Sequence, residues 1–282
     1  MKLLPLVFGL CAVLGAAPKI KVLIVDGQNN HNWINTSPVL KRLLEETGLF
    51  WVTVTTAPPK GGGDMKAFQP EFSKYEVVVS NYNGERWSEA ANTAFEKFVR
   101  EGGGFVSYHA ADNAFPQWPA YNQMIALGGW GNQAGSLAKF RDGKLLFDDQ
   151  PGKAGHHGKR HAYQMTTRTT AHPIMQGMPQ MWMHNTDELY DTMRGPARNM
   201  TLLATAYSDA AQGGSGDEEP LLFTVSYGKG RVFHTMLGHD VEAMRCVGFI
   251  VTLQRGTEWA AMGRVTQKLP KDLPTAGDVR LR

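Results

Sequence analysis

Cysteine is nearly absent from this sequence. Its 282 residues contain two, Cys11 and Cys246. Cys11 falls in a stretch with the marks of a secretory leader: Lys2, an apolar run from Leu3 to Leu14, and the small residues Gly15, Ala16 and Ala17. That run is too short to span a bilayer. Residues 1–17 therefore read as a signal peptide, and the mature chain as a secreted or periplasmic protein with one thiol. A single thiol excludes an intramolecular disulfide and makes a cysteine-based metal site a poor expectation. Cys246 reads as a core residue. Leu10 before Cys11 is not the small residue that a lipoprotein anchor needs, and no later stretch suits a membrane span, so no membrane partner is expected of the mature form. Blocks of like charge are missing too. Lys and Arg (29) are interspersed with Asp and Glu (26), net +3, and no nucleic-acid partner is expected. The short catalytic signatures are also absent: no Walker loop, no His-Glu-x-x-His, no Gly-x-Ser-x-Gly. Gly102 to Gly104 is too short and wrongly placed for a dinucleotide fingerprint and reads as a helix C-cap and turn, so no nucleotide cofactor is expected.

What is present is an alternation of apolar strands and amphipathic helices. A composition of 42% hydrophobic and 20% charged residues allows a sizeable core. Ile20 to Asp26 is a nearly continuous apolar run, which suits a parallel strand covered on both faces. Ser37-Pro38 resembles an N-cap followed by proline at the first helical position, predicting a helix that stops near Gly48. Phe50 to Thr55 and Tyr75 to Ser80 predict two strands, and Ser88 caps a helix from Glu89 to about Arg100. The three glycines then turn the chain into a strand ending on His109. The first half thus reads β-α-β-β-α-β. That pattern predicts an α/β fold with an open, mainly parallel sheet flanked by helices, which binds ligands at the carboxyl ends of its strands. Further on, Trp118 to Leu127 predicts a short helix, and Gly128 to Gly135 and Gly152 to Gly158 predict loops. His161 to Thr167 and Thr201 to Tyr207 predict strands, and Pro220 to Tyr227 with Arg231 to Met236 a hairpin. A last helix is expected from about Val241 to Arg255. Residues 18–262 read as the α/β domain, and the Pro- and Lys-rich residues 263–282 as an extension over its surface.

Histidines gather where such a sheet would bind a ligand. His31, His109 and His239 each follow a predicted strand, and His184 lies just before Asp187-Glu188. His109 and His239 stand near Asp112 and Asp240, and an imidazole beside a carboxylate has the fixed tautomer and raised basicity of a general base. Of the adjacent acids Asp187 and Glu188, one is expected to face solvent and the other a pocket. There Glu188 could orient a histidine or act as an acid or base. The candidate catalytic set is therefore His109, His239, Glu188 and His184. Candidate substrate-binding residues are His31, Trp33, Asp112, Asn113, Trp118, Tyr190 and Asp240. Trp33, Trp118, Trp130 and Trp182 fall in predicted loops, where an indole face can stack on a sugar or anchor the loop. His31, His109 and His239 are candidate ligands for a divalent metal ion, zinc or similar, although no sequence-local ligand pair requires one. His156, His157 and His161 belong to a lid or a solvated loop, His172 to a turn, and His234 to a packed strand face.

The ordered segments Gly-Gly-Gly-Phe-Val-Ser-Tyr-His-Ala-Ala at 102–111, His-Pro-Ile-Met-Gln-Gly-Met-Pro at 172–179 and Asp-Glu-Leu-Tyr at 187–190 continue into Gly-Lys-Gly-Arg-Val-Phe at 228–233 and Leu-Gly-His-Asp at 237–240. Together they resemble the ThuA-like (trehalose utilisation) proteins over essentially the whole mature chain. The resemblance implies a flavodoxin-like sheet related to the class I glutamine amidotransferases. In those enzymes the strand matching Gly104–His109 ends in a cysteine elbow. His109 stands at that place, so glutaminase chemistry is not expected. The resemblance also implies sugar catabolism alongside dehydrogenases that oxidise glycosides at C3, with a small carbohydrate as partner. One departure is Glu218, which stands before Glu219-Pro220 where the family carries histidine. The expected function is an enzyme, lyase or hydrolase, that cleaves a glycoside or 3-keto-glycoside by histidine acid/base chemistry with or without a metal. The alternatives are a non-catalytic carbohydrate-binding module and a metal-dependent hydrolase of an unmodified glycoside or ester. A homo-oligomer is compatible with either.

Overall fold

The computed structural model describes residues 18–129, 135–196 and 199–282. The leader expected at 1–17 and Trp130 lie outside the described residues. The first half runs β1 (Ile20–Asp26), α1 (Trp33–Glu45), β2 (Phe50–Thr56), β3 (Val77–Ser80), α2 (Glu89–Arg100) and β4 (Gly104–Tyr108). After α3 (Pro119–Ile125) come β5 (Ser136–Arg141), β6 (Lys144–Asp148), β7 (His156–His157), β8 (His161–Thr167), β9 (Met181–Asp187), β10 (Tyr190–Asp191) and β11 (Arg194–Gly195). The chain closes with β12 (Met200–Tyr207), β13 (Glu218–Tyr227), β14 (Gly230–Thr235) and α4 (Val247–Met262).

The main sheet has the order β2-β1-β3-β4-β14-β13-β12-β8-β9. Its first five strands are parallel, in a flavodoxin-like arrangement. From β14 outward each neighbour is antiparallel. Directions therefore alternate, and β9 ends at the same sheet edge as β4 and β14. Helices cover both faces of the parallel half. A Cβ on Gly104 would strike the Ala260 backbone of α4 at 2.6 Å. Its neighbour Phe105 packs on Phe95 of α2 and Tyr121 of α3. Successive strand residues face opposite ways, so α4 lies on one face and α2 with α3 on the other. This explains why β3 and β4 are buried along their whole length.

Three local expectations change. Helix α1 begins at Trp33, with Asn32 as its cap, and Pro38 lies inside it. Ser37 does not cap, because it is buried and accepts a hydrogen bond from Asn81 Nδ2 at 3.0 Å. The helix expected from Val241 is a 3₁₀ turn at Ala243–Arg245, a break at Cys246, and then α4. The C-terminal extension causes the break: Val247 N–H donates to the Arg280 carbonyl at 2.8 Å, and Cys246 bridges Leu281. The loop at 152–158 contains a short strand, β7, antiparallel to β10. Among the described residues no helix is long and apolar enough to cross a membrane.

Helix α4 packs so closely that its glycines are required by space. A Cβ on Gly256 would sit 2.1 Å from the ring of buried Phe233. Gly256→Val should therefore cost about 2 kcal/mol by overpacking, read as a lower urea midpoint at unchanged slope. Glu219 of β13 gives a second test. It is fully buried; one carboxylate oxygen accepts from Ser215 Oγ at 2.7 Å and the other has no partner. Burial, with Asp191 nearby, pushes its pKa up to about 7. The folded state thus holds this proton after the unfolded chain has released it. Stability from Glu219 is complete below about pH 4.5 and falls as pH rises towards 7, by about 3 kcal/mol at most. Glu219→Gln should gain stability over the wild type across that window and keep the gain above it; a pH-independent difference would contradict this.

Candidate functional site

The carboxyl edge of the sheet assembles the site. β1 leads to His31, β4 to His109, and β14 to the Met236–Asp240 loop that carries His239. β9, running in the same direction, ends in Asp187 and hands over to Glu188 and Tyr190. Residues far apart in sequence thus meet because their strands are parallel and end at one level.

His109 occupies an elbow. It leaves β4 with φ +43°, a left-handed conformation that costs a non-glycine residue on the order of 1 kcal/mol, and it begins the 3₁₀ turn His109–Asn113. The turn aims the imidazole out of the sheet edge. Its Nδ1 lies 2.7 Å from the Met236 carbonyl, which can only accept, so Nδ1 carries the hydrogen. Tyr190 stacks on the ring at 4.5 Å, and its hydroxyl lies 2.9 Å from Nε2.

Glu188 is the centre of the arrangement. Its Oε2 lies 3.5 Å from His31 Nε2 and 3.7 Å from His109 Nε2. Its Oε1 lies 3.2 Å from His239 Nε2 and 3.6 Å from His157 Nε2. On His31, Nδ1 lies 3.1 Å from Asn30 Oδ1 and 3.2 Å from Asn29 Oδ1; on His157 it lies 2.8 Å from the Gly158 carbonyl. On His239 it lies 3.4 Å from Asp240 Oδ2. The Nδ1 atoms of His31, His109 and His157 therefore each have an oxygen to donate to, which leaves their Nε2 atoms with a lone pair in the neutral ring, whereas His239 Nδ1 makes no hydrogen bond. Lone pairs of several imidazoles converging on one carboxylate need a positive charge among them. Burial opposes ionisation of Glu188, but His109 and His31, when they also carry a proton on Nε2, donate to it and hold it far below the usual carboxylate range. Burial likewise opposes charging of His109, but Glu188 and Asp187 raise its pKa. Burial lowers His239, which stays neutral and able to accept a proton at pH 7.

Behind this layer Asp187 fixes the loops. It is fully buried and accepts from the backbone N–H groups of Glu188 (2.8 Å), Gly238 (2.6 Å) and His239 (3.0 Å). His184 Nε2 lies 2.7 Å away from it. Burial opposes charge on His184, but Cys246 and Asp187 raise its pKa to about 9, so it is an imidazolium at neutral pH.

The structure sorts the expected residues. His31, His109, Glu188, His239 and Tyr190 come together. His184 is fully buried and reaches them only through Asp187, because its strand turns it inward. Glu188 is held too acidic to donate a proton near neutral pH. The expected ligand trio His31, His109 and His239 changes as well: the donors lying within 4.8 Å of one another are those of His31, His109 and Glu188, and His239 faces the other carboxylate oxygen. Asp112 does not pair with His109; the 3₁₀ turn carries it into the core, 3.6 Å from His234 Nε2. Asn113 follows it, its amide atoms buried. Trp118 is 4% exposed in an aromatic cluster with Trp87, Phe115 and Tyr121, and Trp182 is fully buried, so neither presents a face to a ligand. Trp33 stays partly exposed beside the His31 loop. Asp240 holds Arg160 and caps the Ala243 N–H at 2.9 Å. Sequence reasoning missed the part played by His157, which β7 brings in through a nonlocal pairing with β10. It also missed the anchoring role of Asp187, for which the adjacent acid pair was the only signal.

The chain matches the ThuA family, described as trehalose utilisation, over residues 21–260. It is 49% identical to a ThuA-like protein from Parabacteroides merdae, with 94% of this chain and 98% of that one covered at a TM-score of 0.91. A ThuA-like protein from Bacteroides uniformis is 17% identical over 92% of this chain and 97% of that one, with a TM-score of 0.62, a likeness of fold alone. No curated protein matches. With its flavodoxin-like sheet and a family match that spans nearly all the described residues, the chain belongs to the carbohydrate-linked ThuA (trehalose utilisation) family.

Proposed function

We propose that this protein is a metal-assisted enzyme of sugar catabolism that cleaves the glycosidic bond of a glycoside, preferentially in its 3-keto form. One observation carries the reading: the Nε2 lone pairs of His31 and His109 converge with the Glu188 carboxylate, at 3.5 and 3.7 Å. Nitrogen and oxygen donors about 2.1 Å from a tetrahedral zinc ion stand roughly 3.4 Å apart. Two nitrogens, one carboxylate and fixed Nδ1–H tautomers suit zinc or a similar divalent ion, and Met236, Asn29 and Asn30 provide the outer hydrogen bonds that such ligands require. When bound, the ion supplies a Lewis acid for the substrate carbonyl oxygen.

The remaining steps belong to the side chains. A ketone at C3 acidifies the C2 proton. Neutral His239, on the opposite side of Glu188, takes that proton. Negative charge builds on the C3 oxygen and then returns to form the C1–C2 double bond as the C1–O bond breaks. The proton held by His239 passes to the departing oxygen, which restores the base and releases the aglycone as an alcohol. Tyr190 is a neutral phenol, its pKa raised first by burial and then by nearby carboxylates, and it can hydrogen-bond the substrate oxygen. The expected leader at 1–17 goes with action outside the cytoplasm, which belongs to this proposal.

Two outcomes are expected. Metal analysis of protein reconstituted with zinc should give about one equivalent per chain, lost in His109→Ala and Glu188→Gln variants that keep a wild-type circular dichroism spectrum. His239→Ala should retain the metal but release aglycone from a 3-keto-glycoside about 100-fold to 10,000-fold more slowly. Full turnover by either His109→Ala or His239→Ala would refute these assignments, and release from unmodified glycosides alone would favour the hydrolase reading.

A further inference from the structure

Cys246 stands where the start of α4, the Asp187 anchor and the C-terminal extension meet. It is the N-cap of the 16-residue helix α4, so its sulfur sits by the free N–H groups of a first helical turn. The backbone N–H groups of Phe249 and Asn185 point at it. Beside it lies His184, fully buried, with Nε2 2.7 Å from Asp187. The other ring nitrogen, Nδ1, is buried and has no oxygen or nitrogen partner among the described residues; the group it faces is the Cys246 sulfur. Burial raises the thiol's pKa, but the His184 imidazolium and the two N–H groups outweigh it and bring the thiol below its usual value. A cysteine at a helix start, next to an imidazole that a carboxylate orients, is the arrangement that yields a nucleophilic thiolate. The proposed cleavage gives this thiol no role.

The C-terminal extension covers the sulfur. Met183 N–H donates to the Thr275 carbonyl at 2.8 Å, Val247 N–H to the Arg280 carbonyl at 2.8 Å, and Arg282 N–H to the Arg245 carbonyl at 3.0 Å. Arg282 also clamps Asp272 through bonds of 2.6 and 3.0 Å. Yet no side chain in residues 275–282 is buried. This cover is therefore held by backbone bonds and an exposed ion pair rather than by packing, and such segments open locally at little cost.

We propose that Cys246 is a peroxide-sensitive modification site which local opening of residues 275–282 uncovers, and that its oxidation loosens the neighbouring site through His184 and Asp187. The thiolate attacks one oxygen of hydrogen peroxide. An S–O bond forms, the O–O bond breaks, and hydroxide leaves and takes up a proton to become water. The sulfur is oxidised to a sulfenic acid, and the peroxide is reduced. The product no longer offers His184 a negative charge, and its added oxygen needs room in a close-packed core. His184 is then displaced from Asp187, which holds the Glu188, Gly238 and His239 amides. None of this depends on the cleavage reaction.

The test treats the native full chain with hydrogen peroxide in the presence of dimedone, which traps sulfenic acids, and locates the adduct by peptide mass mapping. An adduct is expected at Cys246 and none in Cys246→Ser. Arg282→Pro removes both the N–H bond to Arg245 and the Asp272 clamp, and should speed adduct formation about 10-fold. In samples without dimedone, hydrogen exchange of the Gly238 and His239 amides should rise about 10-fold on oxidation and return after dithiothreitol. It should not respond to peroxide in Cys246→Ser, which keeps every methionine. No adduct, or an adduct formed only as fast as the whole protein unfolds, would overturn the modification site. An adduct at Cys246 that leaves both amides exchanging as before would overturn the coupling to Asp187.

Discussion

One buried carboxylate holds the site together. Asp187 accepts from the backbone of Glu188 on its own loop and from Gly238 and His239 on the loop after β14. Through these bonds the far antiparallel edge of the sheet is tied to the parallel half. His184 supplies the compensating charge, so Asp187 stays ionised although it is fully buried. Removing one member of such a buried pair strands the other charge, which costs about 3–5 kcal/mol. The positions of Glu188 and His239 thus follow from Asp187 and from strand direction.

The second constraint is the elbow at His109. A strained φ persists only where the surroundings determine it. Here Met236 holds one ring nitrogen and Tyr190 stacks on the ring face. The strand ends in an elbow, and the side chain on it is an imidazole rather than a thiol. Cys246, the one cysteine in the described residues, is buried on α4's leading edge, against His184 rather than at the elbow.

Much of the fold was legible because local signals and tertiary demand agreed. Ser88 caps α2 as its sequence suggests, through Ala91 N–H at 3.2 Å, and the apolar run 20–26 is a buried parallel strand. The misreadings occurred where a distant partner prevailed. Asn81 claims Ser37 and shifts the start of α1 to Asn32, and the C-terminal extension breaks the last helix at Cys246. At the site, histidines that follow strands were recognisable because strand ends share one edge. Asp112 was misplaced because proximity in sequence says nothing about which way a 3₁₀ turn points its side chain. His157 was unreadable as a site residue because β7 exists only through its pairing with β10.

The central claim is that His31, His109 and Glu188 hold one divalent cation. Anomalous diffraction from crystals of zinc-loaded protein, collected on both sides of the zinc absorption edge, tests it most directly. The account predicts a single strong peak about 2.0–2.2 Å from His31 Nε2, His109 Nε2 and a Glu188 carboxylate oxygen. Fully loaded crystals with no peak there, or with zinc only at surface histidines such as His156 and His161, would contradict it.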